Sequence, residues 1–318
     1  RKVITAFIAT GNGKHSAPYY RQGTGTLNVL VLAMLTQIAE GKQNVIFAME
    51  EPETAIPPYA QKRIIHGVRK LSAQTIFTSH SPYVLEEYEV AEVMVLRRDD
   101  DGNLEQFSVE LPPSVKYKRY RAQFRTRFCE GLLARRILLA EGDTEATVIP
   151  VAARRLAEAD HSKYSSLEQL GICTIDAGSD SQIADLAQLY RGLGKTVYAA
   201  CDKQTDASKG TIEAKVDKLF MHDKDDIEKL IMAHVQDESL IKFFDTLNWP
   251  PHLASKYPDA KANIRAALLD YFNWGKGVGA LADLVAFIPV TEFAPWLTQM
   301  CHELKNLCDP SAQQPAAS

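Results

Sequence analysis

Two apolar runs of this chain end abruptly in acids, and they constrain its fold more than any other feature. The first is VIFAMEEPE at residues 45–53, and the second is ILLAEGDTE at residues 137–145. Each run predicts a buried strand with carboxylates at its end. In open α/β sheets, ligands bind at the carboxyl ends of strands, where side chains leave the core. We therefore expect two sites that handle phosphate, one for a nucleotide and one for a phosphodiester.

The alternation of apolar runs predicts an α/β fold in two domains, for which 318 residues are sufficient. Strands alternate with helices of crossover length, which favours parallel sheets. The expected strands are 44–49, 74–78, 136–140, 172–175 and 196–201, and the expected helices are 27–40, 58–71, 145–157 and 182–193. After Asp202 the pattern predicts helices, with Trp274 and Trp296 as core anchors.

The formal net charge of −4 gives no global nucleic-acid signature, so a DNA-binding face has to be local. The candidate is a basic helix from Lys116 to Ala134, which begins KYKRYRAQFRTR and leads to the pair Arg135 and Arg136. A solvated helix face explains this stretch equally well.

Cysteine usage and hydropathy indicate the compartment. The five cysteines are scattered with no C-x-x-C pair, which argues against a disulfide framework or a zinc site. The sequence contains no signal peptide and no apolar run of eighteen residues. We expect a soluble cytoplasmic protein that has no membrane partner.

Three segments in order resemble parts of ABC-type ATPases of the RecF, SMC and OLD kind. The acids after the first run resemble the Walker B region, TIFTSHSP at residues 75–82 the switch-histidine strand, and RQGTGT at residues 21–26 the signature loop. The resemblance implies that Glu50 holds Mg²⁺ and that Glu51 is the general base. The implied nucleotide-binding residues are Gly23, Gly25, Glu50, Glu51 and His80. Each signal alone also fits an ordinary turn or a structural histidine, and their order favours the ATPase.

The phosphate-gripping loop of such ATPases has no counterpart here. The sequence contains no G-x-x-x-x-G-K-[ST] segment. TGNGKH at residues 10–15 has a Gly-Lys pair but lacks the first glycine and the following Ser or Thr. The missing strand would precede residue 1. We therefore expect a truncated chain without ATPase activity of its own, and ATP as the ligand of the full-length protein.

The second run resembles the opening motif of the Toprim domain, which topoisomerases, bacterial primases and OLD-family nucleases share. Gly142 is expected to let the backbone turn sharply into a helix. The resemblance implies that Glu141, at the strand tip, and Glu145, in the first helical turn, bind a metal ion. An ordinary capped strand-to-helix turn is the alternative.

Later parts of the Toprim pattern are present with one departure. A strand ending in Asp-x-Asp is expected, but here Asp202 is followed by Gln204 in place of the second acid. Asp206 or another carboxylate could supply the missing ligand. Glu228 resembles an additional OLD metal ligand, although an acidic helix start favoured by the helix dipole is the alternative. Lys276, between two glycines, resembles the lysine that supports phosphate cleavage, and a solvated lysine in a turn is the alternative.

The order of these parts resembles the OLD (overcoming lysogenization defect) family of ATP-linked endonucleases, to which the Gabija nuclease and retron-associated effectors are related. The implied fold is α/β, a partial ABC-type ATPase sheet followed by a Toprim parallel-sheet domain with a helical C-terminal extension. We expect the ATPase part at 1–113, the basic linker helix and Toprim domain at 114–245, the helical extension at 246–308 and a disordered tail at 309–318.

The resemblance implies a DNA endonuclease that depends on Mg²⁺ or Mn²⁺, with two ions per site. It also implies that an ATPase module gates the nuclease. The ATPase part would form a homodimer or higher homo-oligomer, and the family context implies anti-phage defence with a defence-system partner protein. The implied catalytic residues are Glu141, Lys276 and Glu51, and the implied metal ligands are Glu141, Glu145, Asp202, Glu228 and Glu50.

Two rival hypotheses stay open. One is a non-cleaving, nucleotide-regulated DNA-binding or scaffold protein with a degenerate Toprim site. A metal-site pocket that is collapsed or filled by a lysine would favour it. The other is a plain ABC-type ATPase with an inert α/β appendage, which predicts that Glu141→Ala has no effect.

Overall fold

The computed structural model of the chain describes residues 5–10, 13, 15–40, 42, 44–99, 101–113 and 125–309. Their contacts form two compact units. The first contains the described residues up to Met94 and those of 125–133, and the second contains those of 95–113 and 134–309. Of the predicted basic linker helix, residues 116–124 lie outside the described residues, and Arg125–Leu133 is helical. The predicted disordered tail lies outside them except for Asp309.

The first unit is built around two parallel strands. Its elements are β1 (Phe7–Thr10), β2 (His15–Pro18), α1 (Thr24–Glu40), β3 (Ile46–Glu50), α2 (Pro58–Leu71), β4 (Gln74–Thr78), α3 (Pro82–Leu85) and α4 (Arg125–Leu133). Strands β3 and β4 pair in parallel with Glu50 opposite Thr78. Leu32 of α1, Phe47 of β3 and Val68 of α2 form the core between this pair and its helices. The register therefore brings the acids after β3 beside the residues that follow β4.

The second unit contains a four-stranded parallel sheet of order β10-β9-β7-β8. After the hairpin β5 (Met94–Arg98) and β6 (Leu104–Ser108), the chain forms β7 (Arg136–Ala140), α5 (Asp143–Ala159), β8 (Ile172–Asp176), α6 (Asp180–Gly192), β9 (Thr196–Cys201), α7 (Asp206–Glu213) and β10 (Lys218–Met221). In the central strand β7, residues 137–140 are fully buried. Such burial on both faces explains the unbroken apolar run in the sequence.

Six helices complete the described part of the second unit. They are α8 (Ile227–Met232), α9 (Asp237–Phe244), α10 (Pro251–Lys256), α11 (Ile264–Trp274), α12 (Ala280–Phe287) and α13 (Pro295–Cys308). Helices α12 and α13 pack against α5, so these helices and the sheet share one core.

Two expectations for this region are wrong and one is confirmed. The prediction of helices alone after Asp202 missed β10, a four-residue strand. Trp274 is 57% exposed and is not a core anchor, because it ends α11 on the outer side of the helix. Trp296 does pack against the core, as predicted.

In the described part of the chain, no helix combines the length and the apolar character needed to cross a bilayer. All five cysteines are free thiols.

Candidate functional site

The ends of β7 and β9 bring two of the predicted ligands together. The strands are neighbours with Ala140 opposite Ala200, so Glu141 and Asp202 leave the sheet at the same edge. The backbone N–H of Asp202 donates a hydrogen bond to Glu141 Oε2 at 3.0 Å. Gln204 Nε2 donates to the same oxygen, also at 3.0 Å. The residue that departs from the expected acid therefore holds the carboxylate of Glu141 in place.

Glu145 lies in the first turn of α5 and is only 6% exposed. Its Oε2 accepts a hydrogen bond from the backbone N–H of Gly142 at 3.0 Å. The chain bends at residues 141–142 between β7 and α5, as predicted, although Gly142 itself is extended, with φ −141° and ψ −179°. A Cβ at this position would lie 3.2 Å from Glu145 Oε2. The glycine therefore gives the buried carboxylate room to reach the backbone.

Glu228 and Lys276, which are distant in sequence, form an ion pair. Glu228 lies in the first turn of α8 and is 3% exposed. Its Oε1 is 3.1 Å from Lys276 Nζ, which comes from the glycine-rich turn between α11 and α12. A cavity of about 10 Å³ beside the pair is also lined by Asp143 and Thr144 at the start of α5. Such a volume holds about one water molecule.

The four carboxylates Glu141, Glu145, Asp202 and Glu228, here called the acidic cluster, lie close enough to perturb one another. Burial raises the pKa of Glu145 to about 7, and the charges of Asp202, Glu228 and Glu141 add to the rise. Burial also raises the pKa of Glu141, with contributions from Asp202 and Asp180, against the opposing hydrogen bond from the Asp202 N–H. The acidic cluster therefore combines burial with mutual repulsion among its carboxylates, both of which disfavour their charged forms.

The structure shows two neighbours of the acidic cluster that the sequence did not reveal. His222, directly after β10, places Nε2 2.8 Å from Asp202 Oδ1. Asp180, in the first turn of α6, is near enough for its charge to raise the pKa of Glu141. Asp180 could have been found from the sequence, because it follows Gly178-Ser179 shortly after the predicted strand 172–175. His222 had no comparable signal in the sequence, because the strand before it was not predicted.

The acidic cluster fits a divalent cation in its chemistry. Asp202 Oδ1 and Glu228 Oε1 are buried and accept no hydrogen bond from any described residue. Asp202 Oδ1 faces the imidazole ring of His222, and Glu228 Oε1 faces the ammonium group of Lys276. Carboxylate oxygens are the ligands that Mg²⁺ and Mn²⁺ prefer. As the side chains stand, no three His, Cys, Asp or Glu residues among those described converge to hold a metal ion, so the ligand assignments stay predictions.

In the first unit, the structure brings Glu51 and His80 together. Glu51 Oε1 lies 3.5 Å from His80 Nε2, and both side chains are exposed. Glu51 adopts φ +42°, a left-handed conformation that few non-glycine residues take, and its N–H bonds to Thr78 O at 2.9 Å. Glu53 Oε1 accepts from Ser79 Oγ at 2.7 Å and from the His80 N–H at 2.9 Å. Glu53 was not a predicted site residue, yet it fixes the segment after β4.

The glycine segment at the start of α1 packs against the turn that follows these acids. A Cβ at Gly25 would lie 2.2 Å from the carbonyl oxygen of Ala55, so only glycine fits there. Asn28 Nδ2 donates to Thr54 O at 2.7 Å in the same contact. A Cβ at Gly23 would meet nothing within 4 Å, and Glu50 ends β3 with its side chain exposed. The nucleotide-binding roles of these residues stay predictions.

Two family models match the chain at the places these sites occupy. The model of the AAA ATPase domain matches residues 3–85, and the model of the overcoming lysogenization defect protein-like TOPRIM domain matches residues 132–203. The chain joins an AAA ATPase domain to an OLD-like Toprim domain. The predicted family resemblance and α/β fold class are thereby confirmed. The Toprim match includes Glu141, Glu145 and Asp202, whereas Glu228 and Lys276 lie beyond it.

Solved structures with some likeness to the chain include the C-terminal region of the Burkholderia pseudomallei OLD protein, at 16% identity and TM-score 0.41, covering 55% of this chain and 99% of that one. For the C-terminal region of the Xanthomonas campestris pv. campestris OLD protein, the identity is 18%, the TM-score 0.37 and the coverage 55% and 93%. A search of curated proteins gave no match. The domain assignment rests on the family models, and an OLD-like ATPase–Toprim architecture supports a nuclease-type function.

Proposed function

We propose that this chain is a metal-dependent DNA endonuclease that hydrolyses phosphodiester bonds at the acidic cluster of its OLD-like Toprim domain. The observation that carries the proposal is the grouping of four carboxylates there. Glu141 and Asp202 follow neighbouring strands at one edge of the sheet, and the charges of Asp202, Glu228 and Glu141 act on the buried Glu145. Carboxylates held this close repel one another unless a cation lies between them.

Glu141, Glu145, Asp202 and Glu228 would hold Mg²⁺ or Mn²⁺. A bound divalent cation supplies an activated water and neutralises charge on the phosphate. The chain's own contribution is to fix the ligands: Glu141 is held by the Asp202 N–H and by Gln204. Lys276 Nζ is half-exposed beside Glu228, where its charge would stabilise the phosphate oxygens as negative charge develops during cleavage.

The remaining parts of the proposal concern regulation by ATP, the substrate, the biological role and the cellular compartment. The ATPase domain would gate cleavage in response to ATP, with Glu50, Glu51, His80, Gly23 and Gly25 at the nucleotide. The combination of domains supports DNA as the substrate and anti-phage defence as the role, with a defence-system partner protein. Five free cysteines support action in the cytoplasm, where thiols stay reduced.

Self-association of the ATPase domain is part of the same proposal. Val31, Met34 and Ile38 lie on one face of α1 by their spacing and are 50–55% exposed. Apolar side chains grouped on a surface favour burial against another surface. A homodimer or higher homo-oligomer formed through this domain would bury these apolar side chains.

Cleavage of supercoiled plasmid tests the proposal. We expect the chain to nick DNA with Mg²⁺ or Mn²⁺, and Glu141→Ala and Lys276→Ala to lose this activity. Glu158→Gln is the matched control, because Glu158 is exposed on the same helix as Glu145. Metal-dependent nicking that survives in Glu141→Ala would contradict the proposal and favour the inert appendage.

A second candidate function is a non-cleaving scaffold that binds DNA under nucleotide control. The contact between Lys276 and Glu228, beside a cavity of only about 10 Å³, favours it, because a lysine already neutralises one proposed ligand. This candidate predicts DNA binding without cleavage and without saturable Mn²⁺ binding. Isothermal titration of the chain with Mn²⁺ separates the two functions.

A further inference from the structure

His222 is a buried residue whose polar atoms face a proposed ligand. Its side chain is 1% exposed, and its Nε2 lies 2.8 Å from Asp202 Oδ1. The two atoms do not form a hydrogen bond with each other in this arrangement, and neither has another hydrogen-bond partner among the described residues. The 2.8 Å contact is therefore the one polar contact recorded for either atom, and separating them would expose two buried polar atoms to apolar surroundings.

The sheet dictates that these two residues meet. Strands β9 and β10 pair in parallel with Cys201 opposite Met221, so Asp202 and His222 are the first residues beyond neighbouring strands. The His222 N–H also bonds to Cys201 O at 3.4 Å. The pairing therefore follows from the strand register and does not depend on a mobile loop.

The ring of His222 is fixed on two further sides. Its Nδ1 accepts a hydrogen bond from the Lys224 N–H at 3.3 Å. The ring also packs edge-on against Trp296, with centroids 5.0 Å apart and planes at 78°. Because Nδ1 is an acceptor, the neutral ring carries its proton on Nε2, on the side of Asp202.

We propose that His222 is a positioning residue of the acidic cluster, which holds Oδ1 of Asp202 and thereby fixes the direction of its second oxygen. The inference rests on the proposed function, because Asp202 is the ligand that it positions. The 2.8 Å between Nε2 and Oδ1 is short enough for an Nε2–H···Oδ1 hydrogen bond when the ring N–H points at the oxygen. Partners of this kind behind a metal ligand affect metal affinity without touching the metal.

Two amide variants separate positioning from packing. His222→Gln keeps an N–H donor near the place of Nε2, whereas His222→Asn places its donor near Nδ1, away from Asp202. We expect His222→Asn to weaken Mn²⁺ binding by about 10-fold to 100-fold, as is typical for lost outer partners of metal ligands, and His222→Gln to stay within about threefold of the unaltered chain. Thermal unfolding of both variants is measured alongside, and we expect similar midpoints.

Mn²⁺ affinity is measured by electron paramagnetic resonance on the whole chain, with Asp202→Asn as the reference for a lost ligand. Equal losses of affinity in the Gln and Asn variants would overturn the positioning role, as would unchanged affinity in both. If the unaltered chain binds no Mn²⁺, the proposed function itself fails. In that case, ¹⁵N spectra of the histidine rings still test the contact. An Nε2-protonated His222 whose signals move in Asp202→Asn supports the contact, and an Nδ1-protonated ring overturns it.

Discussion

Two strands of this molecule end in acids, and their surroundings differ. The acids after β3 lie beside a two-stranded pair, and the side chains of Glu51 and His80 are 46% and 84% exposed. Glu141 follows an interior strand of a four-stranded sheet, close to Glu145, whose pKa is raised to about 7 by burial and, to a lesser degree, by the neighbouring carboxylates. The same sequence pattern, an apolar run followed by acids, therefore produces an open site in one unit and a partly buried cluster in the other.

The difference shows that neighbours decide the chemistry of an acid at a strand end. Around Glu141, the loop after β9 supplies two hydrogen-bond donors, and buried carboxylates supply repulsion that a cation would relieve. Around Glu51, the structure supplies an exposed histidine and the turn that packs on Gly25. This difference is the reason why we propose phosphodiester chemistry for the acidic cluster and nucleotide sensing for the acids after β3.

The largest expected effect separates the two sites by activity. Asp202→Asn should lower metal-dependent plasmid nicking by about 100-fold to 1,000-fold, because it removes a charge that acts directly at the reacting centre. Glu51→Gln, which also removes one carboxylate charge, should leave nicking by this chain within about threefold of the unaltered rate. Initial rates at saturating Mn²⁺ provide the comparison. Similar losses of nicking activity in the two variants would contradict the proposal that cleavage takes place at the acidic cluster and not at the acids after β3.

The second effect concerns stability in the first unit. Gly25→Ala places a Cβ against the carbonyl oxygen of Ala55 and should destabilise the protein by about 2–3 kcal/mol, as overpacking does. Gly23→Ala is the matched control, because a Cβ there meets nothing within 4 Å. Urea unfolding of both variants measures the difference. Equal midpoints would show that the glycine segment does not pack on the turn after the acids.

The third effect is a pH dependence confined to the acidic cluster. In the unfolded chain Glu145 ionises near its ordinary value of 4.5, whereas in the folded protein its pKa is about 7. Between these values the folded state keeps a proton that the unfolded state has lost. Stability therefore falls as pH rises through this window, by at most about 3 kcal/mol.

Urea unfolding at pH 5 and pH 8, in the presence of a metal chelator, measures this decrease in stability. Glu145→Gln should reduce it, because the amide does not ionise, and Glu158→Gln should leave it unchanged. The prediction fails if Glu145→Gln and the unaltered chain lose stability equally between the two pH values.

The smallest effect concerns competition for Glu228. Lys276→Met removes the cation beside Glu228 and should tighten Mn²⁺ binding by about threefold to tenfold, because a half-exposed ion pair is worth about 1 kcal/mol. Nicking should fall in the same variant, since the lysine no longer supports the phosphate. Lys242→Met, which breaks an exposed ion pair with Glu238, is the control and should change neither quantity. Weaker Mn²⁺ binding in Lys276→Met would contradict the idea that Lys276 competes with the metal ion for Glu228.

Sequence reasoning found the parts of the site that depend on local pattern. Glu141 and Asp202 end long apolar strands, and parallel strands end at one edge, so their proximity was predictable. Gln204 was noticed only as a missing acid, because its hydrogen bond to Glu141 depends on the path of a loop. The approach of Lys276 to Glu228 joins distant segments through helix packing, which no periodicity records.

The errors have equally local causes. Strand β10 has only four residues, KLFM, and three of them (Lys218, Leu219 and Met221) are good helix formers, so the strand was not predicted and His222 could not be placed beside Asp202. Trp274 was taken for a core residue from its size alone. Its position at the end of α11 turns it outward.

The most direct test of the central claim is a Mn²⁺ titration of the whole chain followed by electron paramagnetic resonance. We predict saturable binding that is lost when Glu141→Gln and Asp202→Asn are combined and retained when Glu50→Gln and Glu51→Gln are combined. No saturable binding by the unaltered chain, or binding that survives the first pair of substitutions, would contradict the assignment of the cation to the acidic cluster.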